Sequence, residues 1–189
     1  MKNILLIMVL AAFPAFIALG TPPPLKLDWG KQHRVFEPPP GYRYYMGDLD
    51  WGKLVFVGTH DLIGIETELQ LSFDKGRIIS AVLILGGLGI DEYNCLKKYK
   101  KMVGLLNKKY GHYIYKFVEK DPVLDELIYA AHCYPVKIGL YRVQNFWKTP
   151  NFIIKSILLG EEDSFFIEIE YISRKYKPVP QSTKAIERL

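Results

Sequence analysis

Cysteine is scarce in this chain, with two among 189 residues, and that excludes a disulfide-dense scaffold. No Asn-x-Ser/Thr acceptor occurs anywhere, which favours a bacterial envelope over a eukaryotic secretory route. The four histidines, His33, His60, His112 and His132, lack the i, i+4 or Cys-x-x-Cys spacing that turns two ligands toward one metal. A Gly-x-Ser-x-Gly elbow, a phosphate-cradling loop and a dinucleotide fingerprint are missing too; Gly86-Gly87-Leu88-Gly89 lacks the spacing and the basic or hydroxyl residue that should follow. Only one stretch approaches the apolar length of a membrane span, so multi-span classes fall away. No catalytic residue, metal ligand or cofactor is assigned.

What is present is a globular composition, 49% apolar and 24% charged, on a chain long enough for one domain with a sizeable core. Lys2 precedes an almost unbroken apolar run, Ile4 to Gly20, and Ala18 and Gly20 stand at the −3 and −1 positions of a cut before Thr21. That pattern reads as a signal peptide over residues 1–20, with Pro14 inside the run arguing for cleavage and export to the periplasm or beyond. Uncleaved, the run would span about 25 Å, just under the hydrocarbon thickness, and serve as a single N-terminal anchor, the only membrane contact expected. A lipid anchor needs a cysteine after the small residue, whereas the chain reads Gly20-Thr21.

Charge is concentrated rather than spread. The formal +5 comprises +1 from Lys2, −1 over 21–90, +4 over 91–111, −3 over 112–173 and +4 from Arg174 to Leu189. Lys97, Lys98, Lys100, Lys101, Lys108 and Lys109 follow Asp91 and Glu92 on one predicted helix, the polarity that a helix macrodipole favours. A solvated face is the plain reading; a docking face centred on Lys97, Lys98 and Lys101 is the functional one. Nucleic acid is not expected as a partner, because no arginine cluster or aromatic-laced basic strand appears.

Along the chain, residues 21–41 carry Pro22–Pro24 and Pro38–Pro40 without any regular period and read as an extended, unpacked lead-in. Leu27-Asp28-Trp29-Gly30-Lys31 recurs letter for letter as Leu49-Asp50-Trp51-Gly52-Lys53. The second copy fits a hairpin loop between the β-prone runs Tyr42–Met46 and Leu54–Val57, with Trp51 either projecting or, as the favoured reading, folded back into the core.

Alternation from Ile63 to Phe73, the Asp74-Lys75-Gly76 turn and the apolar run Ile78–Leu85 predict an antiparallel hairpin. Leu96, Tyr99, Val103, Leu106 and Tyr110 form a helical stripe over 92–110, capped by Asp91 and stopped by Gly111. Tyr113–Val118 reads as a strand, Asp121-Pro122 opens a second helix that Pro135 ends, and Val136–Trp147 is assigned strand. Phe152–Leu159 and Phe165–Ile172 make a second hairpin, and the basic segment 174–189 a flexible tail. The sum is a single α+β domain over 42–173: an antiparallel sheet of about five or six strands with one main amphipathic helix packed on one face and a short second helix. Outward positions would carry Glu66, Glu68, Glu168 and Glu170, which need water or a partner's lysines.

Cys95 and Cys133 sit on the two predicted helices of a chain addressed to an oxidising compartment. Bridged, they staple one helix to the other and contribute about 4 kcal/mol by chain entropy; unbridged, they are two buried thiols. His132-Cys133 does not make a nucleophile and base, because neighbours on a helix point about 100° apart. Tyr42, Tyr44, Tyr45 and Trp51 cluster around the first hairpin, where they line an aromatic groove or simply fill the core.

Leu71-Ser72-Phe73-Asp74-Lys75-Gly76-Arg77-Ile78, the helix end Leu105-Leu106-Asn107-Lys108-Lys109-Tyr110-Gly111, the Trp147 strand and Ile169-Glu170-Tyr171-Ile172-Ser173 follow one another in order. This succession resembles small secreted bacterial domains of unknown function, in which a hairpin precedes a helix closing in Lys-Tyr-Gly and later strands complete the sheet. The resemblance covers about residues 54–173 and implies the fold alone, with no catalytic residue; the duplicated pentapeptide and the second helix depart from it. The expected function is non-catalytic binding of another envelope or secreted protein along the sheet face or an edge strand. The alternative is a small-ligand or peptide carrier using the aromatic groove; a third reading is a hydrolase, which needs a concave pocket where two or more of His60, His132, Asp61 and Asp121 converge.

Overall fold

Apolar side chains at every second position, interrupted by turn residues, build most of this molecule as sheet. In the computed structural model the described residues are 24–60, 65–86, 90–91, 93–120, 133–161 and 164–176. The elements run β1 (Tyr42–Asp48), β2 (Lys53–His60), β3 (Ile65–Asp74), β4 (Arg77–Leu85), α1 (Cys95–Tyr110), β5 (Tyr115–Lys120), α2 (Tyr134–Lys137), β6 (Tyr141–Lys148), β7 (Phe152–Glu161) and β8 (Ser164–Ser173). The strands form one antiparallel sheet in the order β1-β2-β3-β4-β8-β7-β6-β5. The α+β class therefore stands, but the sheet has eight strands rather than five or six. The runs Tyr42–Met46 and Tyr113–Val118 each read as β-prone in the sequence; what local pattern does not show is that both join the one sheet, as its two edges beside β2 and β6.

The topology is two four-stranded meanders joined through their last strands, β4 and β8. Exchanging the halves about an axis normal to the sheet maps β1 to β5, β2 to β6, β3 to β7 and β4 to β8. To start the second meander the chain must travel from β4 to an edge four strands away, about 19 Å at the usual strand spacing. The connection carries α1, 16 residues and about 24 Å long, which lies on the core face over β6 and β7: Tyr99 near its start reaches Asn145 and Ser156, and Asn107 near its end meets Trp147.

One face of the sheet holds the core, including Phe56, Leu69, Leu71, Leu83, Ile167, Ile169, Ile154 and Trp147. Helix α1 buries Cys95, Tyr99, Met102 and Leu106 against it. This stripe is turned slightly from the predicted one, which ran through Leu96 and Val103, because the cysteine at the helix start is pulled inward. The helix begins at Cys95 rather than at Glu92: Asp91 accepts hydrogen bonds from the N–H groups of Tyr93 (2.9 Å) and Asn94 (3.0 Å) and closes a turn ahead of it. At the other end the indole N–H of Trp147 donates to Asn107 Oδ1 (2.9 Å) and to the Gly111 carbonyl (3.1 Å), locking the Lys-Tyr-Gly stop onto β6.

Most of the predicted second helix, 121–132, lies outside the described residues. Its expected terminator, Pro135, instead sits in the first turn of α2, where a fixed φ and a missing N–H cost nothing. The lead-in also differs from expectation, because it packs. Leu27 is buried, Trp29 meets Phe152 edge-on at 4.8 Å, and Phe36 lies against Phe56 (5.8 Å) and Phe73 (5.6 Å). The predicted signal peptide and the segment beyond Tyr176 lie outside the described residues; Arg174, where the predicted tail begins, donates to the carbonyls of Thr149 and Pro150.

Candidate functional site

Three surfaces collect the residues that the sequence singles out. The first is the β1 edge with its hairpin tip. Leu49-Asp50-Trp51-Gly52 makes the predicted turn, closed by the Gly52 N–H on the Leu49 carbonyl (3.0 Å), while Asp48 Oδ1 accepts from the Asp50 N–H (2.6 Å). Gly52 holds φ at +72° and its carbonyl accepts from the Phe73 N–H (2.7 Å), which ties the tip to the end of β3. Trp51 stands at the third position of this tight turn and points off the end of the sheet, 85% exposed. The expectation that it folds back into the core is wrong, and the turn geometry is the reason.

Between Tyr44 and Met46 the β1 register shifts, placing an extra residue, Tyr45, in a bulge at the edge. Tyr45 is 62% exposed, and Tyr44 and Met46 are each 54% exposed. Met46 was not foreseen; a bulge leaves no mark on local periodicity. Tyr44 donates its hydroxyl to the Gly47 carbonyl and sets its ring against Phe56. Tyr42 is separate from this group. It pairs opposite Gly58 at the far end of β1, roughly 20 Å from Asp48, and hydrogen-bonds Thr67 Oγ1 (2.9 Å). The four predicted groove residues thus do not form one cluster: Tyr42 and Tyr44 lie on the core side opposite Gly58 and Phe56, Tyr45 occupies the bulge, and Trp51 stands on the turn, while Met46 is on the other face opposite Val55.

The second surface is the lysine side of α1. Lys97 and Lys101, one turn apart, are exposed, and Lys98 is half-buried at its flank. Lys109, in the last turn, is drawn below its usual pKa by burial and secondarily by Lys26 of the lead-in; its ammonium lies 5.2 Å from the Tyr110 ring centre. Beneath the helix Tyr99 donates to Asn145 Oδ1 (2.9 Å) and approaches Ser156 Oγ (3.0 Å), all three buried on the core face. Burial raises the Tyr99 phenol to about 12 against the opposing hydrogen bond from Ser156. It is a satisfied structural network rather than an acid or base.

The third is the disulfide. Cys95 and Cys133 are bridged and fully buried, joining the first residue of α1 to the residue just before α2 across a separation of 38. The bridge removes loop entropy from the unfolded chain worth about 4 kcal/mol.

The face of the sheet opposite α1 is crossed by continuous rows. Met46, Val55, Gln70, Val82, Glu170, Lys155, Phe146 and Tyr115 stand side by side, one from each strand. Glu170 finds its lysine within the chain, Lys155 at 3.8 Å, rather than from a partner. Burial holds its carboxyl above the ordinary range, Lys155 opposes that shift and nearby Glu168 adds to it.

His132, Asp61 and Asp121, three of the four candidate groups of the hydrolase reading, lie outside the described residues, as does the His60 side chain. Among the described residues no group of three or more histidine, cysteine or acidic side chains is placed to hold a metal, and no helix is long and apolar enough to cross a membrane. Comparison with known proteins finds no similarity: no protein-family model, curated protein or solved structure matches the chain.

Proposed function

We propose that this chain is an exported, non-catalytic binding protein that takes a protein partner on the β1 edge of its sheet, with Trp51 as the anchor. The observation that carries this reading is the hairpin tip, where Trp51 is 85% exposed on a turn held by backbone bonds, with Tyr45 and Met46 exposed on the strand that leads into it. Tryptophan and tyrosine are the side chains that dominate binding energy at protein interfaces, and a rigid turn lowers the entropy that docking costs. Export is supported by the N-terminal sequence pattern and by a disulfide consistent with an oxidising compartment.

The test is affinity capture from envelope extract with the wild-type protein and with Trp51→Ala/Tyr45→Ala. A stoichiometric protein retained by the wild type and lost by the double variant supports the proposal; no such protein, or equal retention by both, removes it. Charge reversal at Lys97 and Lys101 in the same experiment asks whether the α1 face contributes, and reduced capture would add that face to the contact.

A further inference from the structure

The two edges of the sheet are guarded differently. β1 carries a bulge, which twists an edge away from further pairing. β5 pairs with β6 through six consecutive residues without a register break, and its outer side has no neighbouring strand among the described residues. It is a mixed edge: Tyr115 and, at 43%, Val118 are exposed apolar residues, Ile114 is exposed just ahead of it, and Lys116, Glu119 and Lys120 share the strand with them. We infer that β5 is the seam of a two-fold dimer, in which a second copy of this chain adds its own β5 antiparallel and the two sheets become one.

The argument for a second copy rests on charge and register. Two copies related by an axis normal to the sheet keep the same faces aligned, so a residue can oppose only positions of its own parity on the other β5. Two such registers pair five strand residues. The one centred on Val118 sets Lys116 opposite Lys120, twice by symmetry, and like charges directly opposite are destabilising. The one centred on Phe117 sets Phe117 on its own copy, Tyr115 opposite Glu119 and Lys116 opposite Val118, with no like-charged pair. The lysines of this edge, which elsewhere serve to discourage pairing, here select a single register.

The rest of the face agrees with that choice. Phe117 and Tyr115 lie on the face opposite α1, where the Tyr115 ring tilts against Phe146 at 5.8 Å, so the seam would extend an existing aromatic strip. The molecule already contains the same joint once, in the antiparallel pairing of β4 and β8 that unites its two meanders. A contact made chiefly by one strand is at the small end of specific interfaces, and the dimer forms in proportion to concentration.

Sedimentation velocity over a concentration series, on protein purified as the expressing cell processes it and with the disulfide intact, tests the proposal. The wild type should show a reversible monomer–dimer equilibrium. Val118→Lys places a second ammonium opposite Lys116 and should weaken the dimer about tenfold, because symmetry repeats the repulsion; Val118→Glu places a carboxylate there and should tighten it. Both substitutions sit at a half-exposed edge position, and unchanged thermal unfolding confirms that each variant folds. A monomer at every concentration, a dimer that both variants shift in the same direction or leave alone, or a dimer abolished by Trp51→Ala/Tyr45→Ala would each overturn the β5 seam, the last by moving the contact to the other edge.

Discussion

Leu27–Lys31 and Leu49–Lys53 are the same five residues, yet they meet opposite fates. Both bend the chain through a glycine with positive φ, +81° at Gly30 and +72° at Gly52, so the local instruction is obeyed twice. In the first copy Leu27 is buried in the core, Trp29 packs on Phe152, and Gly30 lies so close to Tyr176 that an added Cβ would come within 2.3 Å of its ring. In the second copy the leucine is half-buried and the tryptophan stands in water. What differs is the neighbourhood: the first copy crosses the end of the sheet beside β7 and the end of β8, while the second is itself the end of a hairpin. A short sequence fixes the turn, and long-range packing decides what the tryptophan is for.

The contrast can be broken most directly at the tryptophans. Trp29→Ala removes an aromatic side chain packed on the core and should cost about 2–3 kcal/mol, less than a fully buried tryptophan because one side of the ring is open. Chemical denaturation of the two single variants measures it: a loss for Trp29→Ala no larger than for Trp51→Ala would mean that the first copy is not anchored in the core. The glycines come next. Gly30→Ala and Gly52→Ala each force a left-handed backbone on a residue with a Cβ, at about 1–2 kcal/mol. Their second contacts differ: at Gly30 the Cβ meets the far end of the Tyr176 side chain, which can swing aside, and at Gly52 it lies 3.0 Å from the Phe73 carbonyl oxygen, which is held in the ladder. Similar losses in unfolding free energy are expected. A change in intrinsic fluorescence should accompany Gly30→Ala alone, since Trp29 is adjacent and half-buried.

The fold was legible where a residue's role follows from its nearest neighbours in sequence. Strict alternation gave both central hairpins, Ile65–Leu85 and Phe152–Ser173, and the Lys108-Lys109-Tyr110-Gly111 stop gave the end of α1 within a residue. For the cysteine pair the sequence left a bridge and two buried thiols open, and the structure has the bridge. The runs themselves were legible one by one, the two edge runs included; that all eight join one sheet was not, because pairing is made by residues distant in sequence. Nor was the packing of the lead-in: Leu27, Trp29 and Phe36 share no period, and they cohere only because β2, β3 and β7 present Phe56, Phe73 and Phe152 to them. The candidate site was half legible. Tyr44, Tyr45 and Trp51 were named from the sequence, but a groove was expected where the strand instead sets Tyr42 apart, and Met46 reached the surface through a bulge.

The smallest expected effect on stability belongs to the residue expected to matter most for binding. Trp51→Ala removes a side chain with little contact in the free protein, so its unfolding free energy should stay within about 0.5 kcal/mol of wild type. Evolutionary pressure for folding alone gives no reason to keep so large an apolar group in water, whereas a partner that buries it gains the full transfer free energy on docking. The two readouts therefore separate the alternatives. A variant that unfolds like the wild type and loses its partner assigns Trp51 to recognition. A variant that is clearly less stable places the indole against structure in solution and returns the second copy to the role of the first.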